Sequence, residues 1–362
     1  MTKATAKKIC IVVSSLGVGG AERSSALLSE MLFDLGYEIH TVSVLDQVDY
    51  PYRGQLLNLG KIKAEDDSVL GRFKRLRVLK NYLRTHNFDY IIDNRARNGL
   101  LKEFVISKWL YNAKKTIYCV HSFHTDMYIH RNTFFGKWLY GSAFKIVAVS
   151  HAISDKLRHK YSFNNLKVIH NPVVDLSEKY NDQVLKTEDF IMFYGRLDDK
   201  VKNISLLLGA YSKSKLPKVS IRLKIVGSGT DKPLLMKKAE DLNLKDKIDF
   251  LDFMPDPFAL VKAACFIILT SNFEGFPMVL VESLASGTPV VSVNCKSGPS
   301  EIIIHEHNGL LVENHNVNAL ATAMNRMVED KDLYLHCKSN AKDSVKKFSK
   351  ANIGLQWQAT LK

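Results

Sequence analysis

The chain is predicted to be α/β, with two Rossmann-like, doubly wound domains. Short, near-continuous apolar runs alternate with helical stretches over its whole length. Such runs imply parallel strands covered by helices on both faces. The alternation halts at a polar stretch and then starts afresh. Glycine-containing loops follow several strands, at the carboxyl ends where doubly wound sheets bind ligands.

The first series opens with a β-branched strand at Lys8–Ser15, a helical stretch at Ala21–Leu35 ending at Gly36, and a strand at Ile39–Leu45. Short strands follow at Tyr90–Asp93, Thr116–Val120 and Ile146–Val149, with helical stretches between them, notably 72–85 and 99–111. Lys167–His170 reads as a strand that Asn171-Pro172 breaks. Residues 175–188 are charged and poor in apolar side chains, which reads as a linker. The second series has strands at Phe190–Tyr194, Ile221–Val226, Ile248–Leu251, Phe266–Thr270 and Pro289–Val293. Helices are expected between them at 203–213, 231–242, 257–264 and 278–286. The domains are therefore 1–175 and 176–345.

A 362-residue chain with 46% hydrophobic and 24% charged residues is globular and large enough to need no disulfide staple. Its five cysteines, Cys10, Cys119, Cys265, Cys295 and Cys337, show no CxxC and no metal spacing, which suits a reducing, cytoplasmic compartment. Lys7-Lys8 precedes an apolar run too short for a signal peptide and without a cleavage site. No apolar run approaches the roughly 20 residues that span a bilayer. A soluble or peripheral protein is expected. The net charge of +14 fits nucleic acid, anionic lipid or phosphorylated small molecules, and does not choose among them.

The strongest motif is Asn272 to Glu282, directly after the strand at 266–270. Pro277 suits the first position of a helix that ends at Ser286-Gly287. Gly275, Phe276, Pro277, Met278 and Val279 would then form a helix N-terminus with exposed N–H groups, a seat for phosphate. Glu282 falls within this apolar helix. It either binds something, because an unpaired buried carboxylate is costly, or lies on a solvated face. Gly195-Arg196-Leu197 and Lys202 follow the strand at 190–194, and two cations there could neutralise a diphosphate. Gly17-Val18-Gly19-Gly20 begins like a dinucleotide fingerprint, but Glu22 replaces its third glycine. Asp46, at the next strand's end, could mimic the ribose acid. His121 ends the strand at 116–120, with His124 as its rival. No metal site is expected, since Asp330-Lys331-Asp332 follows no strand and there is no HExxH.

Taken together, these residues resemble the retaining glycosyltransferases of the GT-B fold known as family 4, or group 1. The resemblance runs from Gly19-Gly20-Ala21-Glu22-Arg23 through Val168 to Pro172, Gly195-Arg196-Leu197 and Ile225 to Gly229. It continues through Glu274 to Glu282, Gly287 to Val291 and Asn308 to Val312. It implies two domains facing each other across a cleft, and a sugar moved from a nucleoside diphosphate to an acceptor hydroxyl with retained anomeric configuration. Arg196 and Lys202 would hold the diphosphate, with Lys200 competing because the interval from Arg196 is one residue longer than usual. Glu274 would contact the sugar and Glu282 the ribose. The N–H groups from Phe276 to Val279 would meet the phosphates, and the backbone at Phe253-Met254 the base. Gly19 and Gly20 would let their loop close over the diphosphate, and His121 would sit beside the reacting sugar. The last helix, from about 346, would pack on the first domain through Trp357. A uridine base, a hexosyl or N-acetylhexosaminyl group, a polysaccharide or glycolipid acceptor and no cofactor are the expectations this carries.

The rivals are a sugar-nucleotide epimerase of the same fold, a glycoside hydrolase using Glu274 and Glu282, and a basic nucleic-acid-binding protein. No nucleic-acid motif is present. An anionic membrane on the inner face of the cell is a further expected partner. The helix at 72–84 places Phe73, Leu76, Leu79 and Leu83 at helical spacing among Arg72, Lys74, Arg75, Arg77, Lys80 and Arg84. The plain alternative is that its apolar stripe packs on the sheet.

Overall fold

A computed structural model describes residues 6–17, 19–173 and 189–362. The predicted linker at 175–188 lies outside them. The chain divides into two compact units, Met1–Pro172 with Lys350–Lys362, and Val173–Ser349.

In the first unit the described strands are β1 (Lys8–Val13), β2 (Glu38–Ser43), β3 (Gln55–Asn58), β4 (Tyr90–Asp93), β5 (Thr116–Val120), β6 (Lys145–Ala148) and β7 (Leu166–Val168). They form one parallel sheet in the order β3-β2-β1-β4-β5-β6-β7. In the second unit β8 (Phe190–Tyr194), β9 (Arg222–Val226), β10 (Ile248–Leu251), β11 (Ile267–Leu269), β12 (Val290–Val293) and β13 (Gly309–Val312) form a parallel sheet in the order β10-β9-β8-β11-β12-β13. Two doubly wound α/β units are what the alternating pattern predicts. The central strands are apolar because both faces are covered: Ile9, Cys10, Ile11, Ile191 and Met192 are wholly inaccessible. The pattern misses β3 and β13, which are four residues long and lie at sheet edges.

Helix boundaries follow side-chain caps. Ser150 accepts from the Ile153 N–H, Asp198 from Val201 and Asn316 from Ala319. The helix expected at 72–85 runs Val69–His86, starting on Ser68 and ending at Asn87, whose φ is 45°. The stretch at 99–111 is not one α-helix: Leu100–Phe104 passes into a π-helix at Val105–Leu110.

The last helix is Lys350–Thr360, and the 3₁₀ turn Lys346–Phe348 before it belongs with the second unit. Ile353, Trp357 and Leu361 join the core made by Ile9, Ile11, Leu28 and Leu32. Gly354 allows this approach, because a Cβ there would press on Met31 and Leu35 at 3.2–3.5 Å. The terminal helix therefore closes one face of the first sheet. Replacing Trp357 with Ala should cost about 3–5 kcal/mol of that unit's stability. Urea titration followed by circular dichroism checks this, and an unmoved midpoint would show that the helix is not anchored there.

Candidate functional site

In the second sheet the order reverses at β8, with β9 on one side and β11 on the other. Open α/β sheets bind ligands above such a reversal, because the diverging loops leave a crevice at the carboxyl ends. Two loops leave at this point. The first, after β8, is shaped by backbone packing. The Gly195 N–H bonds the Val226 carbonyl at 3.0 Å and the Leu197 N–H bonds Ser228 at 2.9 Å. A Cβ on Gly227 would strike the Gly195 carbonyl, and one on Gly229 the Leu197 carbonyl. The Gly195-Arg196-Leu197 and Gly227-Ser228-Gly229 motifs thus form one layered unit. Arg196 stands exposed on it, with no ion-pair partner among the described residues.

The second loop follows β11 and is tied to the short helix Asp199–Lys202. Thr270 Oγ1 donates to the Lys202 carbonyl at 2.9 Å, and the Asn272 N–H to Val201 at 2.8 Å. Asn272 Nδ2 donates to the Lys200 carbonyl at 2.8 Å. These bonds bring Lys202 Nζ to 2.7 Å from Glu274 Oε1, which also accepts from Ser271 Oγ at 2.6 Å. Lys200 and Lys202, the two candidates for the diphosphate, are placed differently by this geometry. Lys200 is exposed and offers its carbonyl, while the Lys202 ammonium reaches the acid.

Beyond Glu274 the loop rests on residues 296–298. The Glu274 N–H bonds the Lys296 carbonyl at 3.1 Å, and Ser297 Oγ donates to Gly275 at 2.7 Å. Gly298 sits so close to Pro277 that a Cβ would overlap the ring. Gly275, Phe276, Pro277 and Met278 are buried, and Val279 is half-buried. Pro277 is the N-cap of the helix Met278–Ala285 rather than its first residue. The early N–H groups of such a helix have no intrahelical acceptor. Glu282 is 4% exposed, so it is not on a solvated face. The Tyr194 hydroxyl is within donor range of both the Val279 carbonyl at 3.0 Å and Glu282 Oε2 at 3.2 Å, which share its one hydrogen. A tyrosine of β8 therefore meets part of the need that the sequence assigns to a ligand. Phe253 and Met254 follow β10; the Phe253 ring is exposed and Met254 half-buried.

In the first sheet the order reverses between β1 and β4. The glycine loop follows β1. Gly19 caps the helix Gly20–Asp34 with φ 142°, and the Glu22 carboxylate folds against it. The space beside Gly20 is open. An acid thus occupies the helix end that a dinucleotide pyrophosphate needs, and Asp46 is held by Asn58 at 2.7 Å. Both facts count against the dinucleotide reading. His121 follows β5 and is half-buried, whereas His124 is exposed. His121 Nε2 lies 3.2 Å from Asn94 Oδ1. Burial, and then the Arg97 charge, pushes the imidazole down to about 4, so it is neutral at neutral pH.

Sequence reasoning passes over Asp93 to Arg97, which leave β4 at this reversal. Asp93 is wholly buried, and its carboxylate takes the Arg95 guanidinium at 2.6–3.2 Å. Arg95 also reaches Glu103 at 3.3 Å. Arg97 donates to four backbone carbonyls, of Asp93, Arg95, Cys119 and Tyr128, at 2.8–3.1 Å. Burial raises the Glu103 pKa, and the Arg95 charge opposes this. The available signal was three charges in five residues directly after an apolar strand.

Residues 177–344 match the family described as glycosyl transferases group 1, and residues 18–175 match glycosyltransferase family 4. A Campylobacter jejuni N-acetylgalactosamine-N,N'-diacetylbacillosaminyl-diphospho-undecaprenol 4-alpha-N-acetylgalactosaminyltransferase is 29% identical, over 96% of this chain and 97% of its own. A second Campylobacter jejuni alpha-1,4-N-acetyl-D-galactosaminyltransferase is 25% identical over 97% of each. Among solved structures, Staphylococcus aureus TarM bound to UDP aligns with a TM-score of 0.77 at 17% identity, over 98% of this chain and 99% of that one. Anabaena HepE with UDP-glucose gives 0.76 at 21%, with the same coverage.

Replacing Asp93 with Asn would leave Arg95 buried beside a neutral amide. The expected loss is about 3–5 kcal/mol, the usual result of removing one partner of a buried pair. Thermal unfolding of the purified variant measures it, and a wild-type midpoint would mean that Glu103 alone suffices.

Proposed function

The chain belongs to the group 1 glycosyltransferases of the GT-B fold, and from that premise we propose a specific reaction. A sugar, of the N-acetylhexosamine or hexose class, moves from a uridine diphosphate to a hydroxyl of a lipid-linked or polysaccharide precursor, with retained configuration. The observation that carries this reading is the Lys202–Glu274 pair at 2.7 Å, at the point where the second sheet reverses. The two Campylobacter relatives support the sugar class and the lipid-linked acceptor by their names.

Loss of a nucleoside diphosphate builds negative charge on the leaving oxygen. Lys202, Arg196 and the N–H groups of Met278 and Val279 stabilise that charge without a bound metal. Glu274 accepts from the sugar hydroxyls. Its tie to Lys202 couples the sugar end of the donor to the phosphate end. The same tie favours attack from the face the leaving group departs: a carboxylate already bonded to Lys202 and Ser271 is a poor nucleophile for double displacement. Glu282 serves the ribose, with Tyr194 orienting it. A hydrolase using Glu274 and Glu282 is disfavoured, because Glu282 is buried inside a helix and bonded to Tyr194.

A lipid-linked acceptor requires a membrane-facing surface. Among the described residues no helix is long and apolar enough to cross a membrane. The helix Val69–His86 does not offer the stripe expected from its sequence. Leu79 and Leu83 are buried, and Arg75 is taken by Asp67 at 3.0 Å and the Asp66 carbonyl at 2.7 Å. Its first turns expose Phe73, 66% accessible, beside Arg72, Lys74 and Arg77, and Lys80 and Arg84 are exposed further along. The π-helix Val105–Leu110 packs against this helix and against the helix Thr133–Tyr140, and Trp109 and Phe134 stand about 70% exposed there. Basic residues interleaved with exposed aromatic rings suit an anionic lipid surface.

Transfer from UDP-N-acetylgalactosamine to a lipid-diphosphate-linked glycan, read as UDP release, tests the donor site. Lys202→Ala and Glu274→Ala should each lose about 10²-fold or more. Lys200→Ala should stay within about twofold, since only its carbonyl is used. Full activity of the Lys202 and Glu274 variants would overturn the assignment. Flotation with phosphatidylglycerol vesicles tests the surface. Wild type should float at low salt, and Arg72, Lys74 and Arg77 changed together to Glu should not. Each cation lost removes about 1 kcal/mol of attraction. Equal flotation of the two proteins would remove this face as the anchor.

A further inference from the structure

The Glu274 carboxylate accepts both of its internal hydrogen bonds at one oxygen. Lys202 Nζ lies 2.7 Å from Oε1, and Ser271 Oγ donates to the same atom at 2.6 Å. Two donors occupy the two lone pairs of that oxygen. Oε2 accepts from no described residue, and the side chain keeps 12% of its exposure. The two donors differ in stiffness. A lysine ammonium ends a flexible four-carbon stem and carries three hydrogens, so Lys202 can hold Oε1 and still turn to a diphosphate. Ser271 has a short side chain with one hydrogen, and it is wholly buried. Its backbone is pinned on both sides: Thr270 Oγ1 donates to the Lys202 carbonyl, and the Asn272 N–H to the Val201 carbonyl. The Glu274 N–H is fixed in turn to the Lys296 carbonyl at 3.1 Å. Backbone and carboxylate of Glu274 are each anchored, and Oε2 is the atom left to take a new partner.

We propose that Ser271 is a positioning residue: its hydroxyl fixes Glu274 Oε1, so that Oε2 is the oxygen that accepts from the hydroxyls of the transferred sugar. The tie stands on the geometry alone; the sugar contact rests on the transferase reading. As Lys202 turns its hydrogens to the departing diphosphate, Ser271 stays on Oε1 and keeps the carboxylate from following the lysine. Without the serine hydroxyl the ammonium is the sole internal donor, and the carboxylate moves with a mobile side chain. A sugar held by such a carboxylate adopts the reacting geometry less often. The sequence writes the pair as Ser-x-x-Glu, the spacing of a helix capping box. Here no helix begins until Met278, and the serine meets the glutamate side chain rather than a backbone N–H. The spacing therefore serves the carboxylate and not a helix end.

Steady-state transfer from UDP-N-acetylgalactosamine, with thermal unfolding of each variant alongside, tests both halves. Ser271→Ala should lower kcat about tenfold or more, the usual weight of a hydrogen bond to a charged group. Its affinity for UDP alone, read by calorimetry, should stay close to wild type, because UDP carries no sugar for Glu274 to hold. Ser271→Cys keeps the shape with a weaker donor and should fall between serine and alanine. The deciding comparison is made in a Glu274→Ala background. A serine that acts through Glu274 has nothing left to position there, so adding Ser271→Ala should lower kcat little further, and the thermal midpoints of the two changes should not add. The same loss of kcat in both backgrounds, or a wild-type kcat in Ser271→Ala, would overturn the positioning role. Additive midpoints would overturn the tie. A wild type that transfers no sugar from UDP-hexoses or UDP-N-acetylhexosamines would overturn the transferase reading and with it the sugar contact, while the midpoints would still report the tie.

Discussion

A parallel strand covered on both faces favours apolar side chains along its length and leaves exchangeable polar groups to the loops at its ends. That constraint arranges the rest of the molecule. Ile9 to Val13 of β1 and Phe190 to Phe193 of β8 are almost wholly inaccessible, so the chemistry of each sheet is displaced to the loops beyond. In a parallel sheet all carboxyl ends lie along one edge, and the loops diverge where the strand order reverses. In the second unit that point gathers Gly195, Arg196, Lys202 and Glu274. In the first it gathers Gly19, Gly20 and the run Asp93 to Arg97, with His121 on the adjacent β5.

The two reversal points solve different electrostatic problems. Asp93, Arg95, Arg97 and Glu103 are buried and carry opposite charges in equal number. Their bonds to each other and to backbone carbonyls offset desolvation, and a network of this kind fixes the loop path more than it adds stability. Lys202 and Glu274 retain 20% and 12% of their side-chain exposure. They neutralise each other and remain partly exposed, unlike the buried network of the first unit.

Glycine has a different role at each place. Gly227 and Gly229 are needed for the absence of a side chain, since two loop backbones pass where a Cβ would stand. Gly20 borders open space instead, at a helix end where the Glu22 carboxylate folds against Gly19. The sequence pattern Gly-Ser-Gly in one loop and Gly-Arg-Leu in another conceals that they are one structural unit.

The fold class was legible in the sequence because burial on both faces writes itself as apolar runs, and strand–helix alternation leaves few ways to assemble them. The strand–loop–helix path from Thr270 to Ala285 was legible, to within one residue at Pro277, because local turn and cap chemistry constrains residue type. Other matters only the tertiary structure decided. Lys202 rather than Lys200 meets Glu274, because that depends on how a four-residue helix is pinned to a loop 72 residues away. Tyr194 bonds Glu282 across neighbouring elements. Ser25, Asn94 and His121 lie in one chain of hydrogen bonds that joins three separate parts of the sequence. Periodicity reports which face a residue takes; it carries no information on which distant polar group will lie within 3 Å of it.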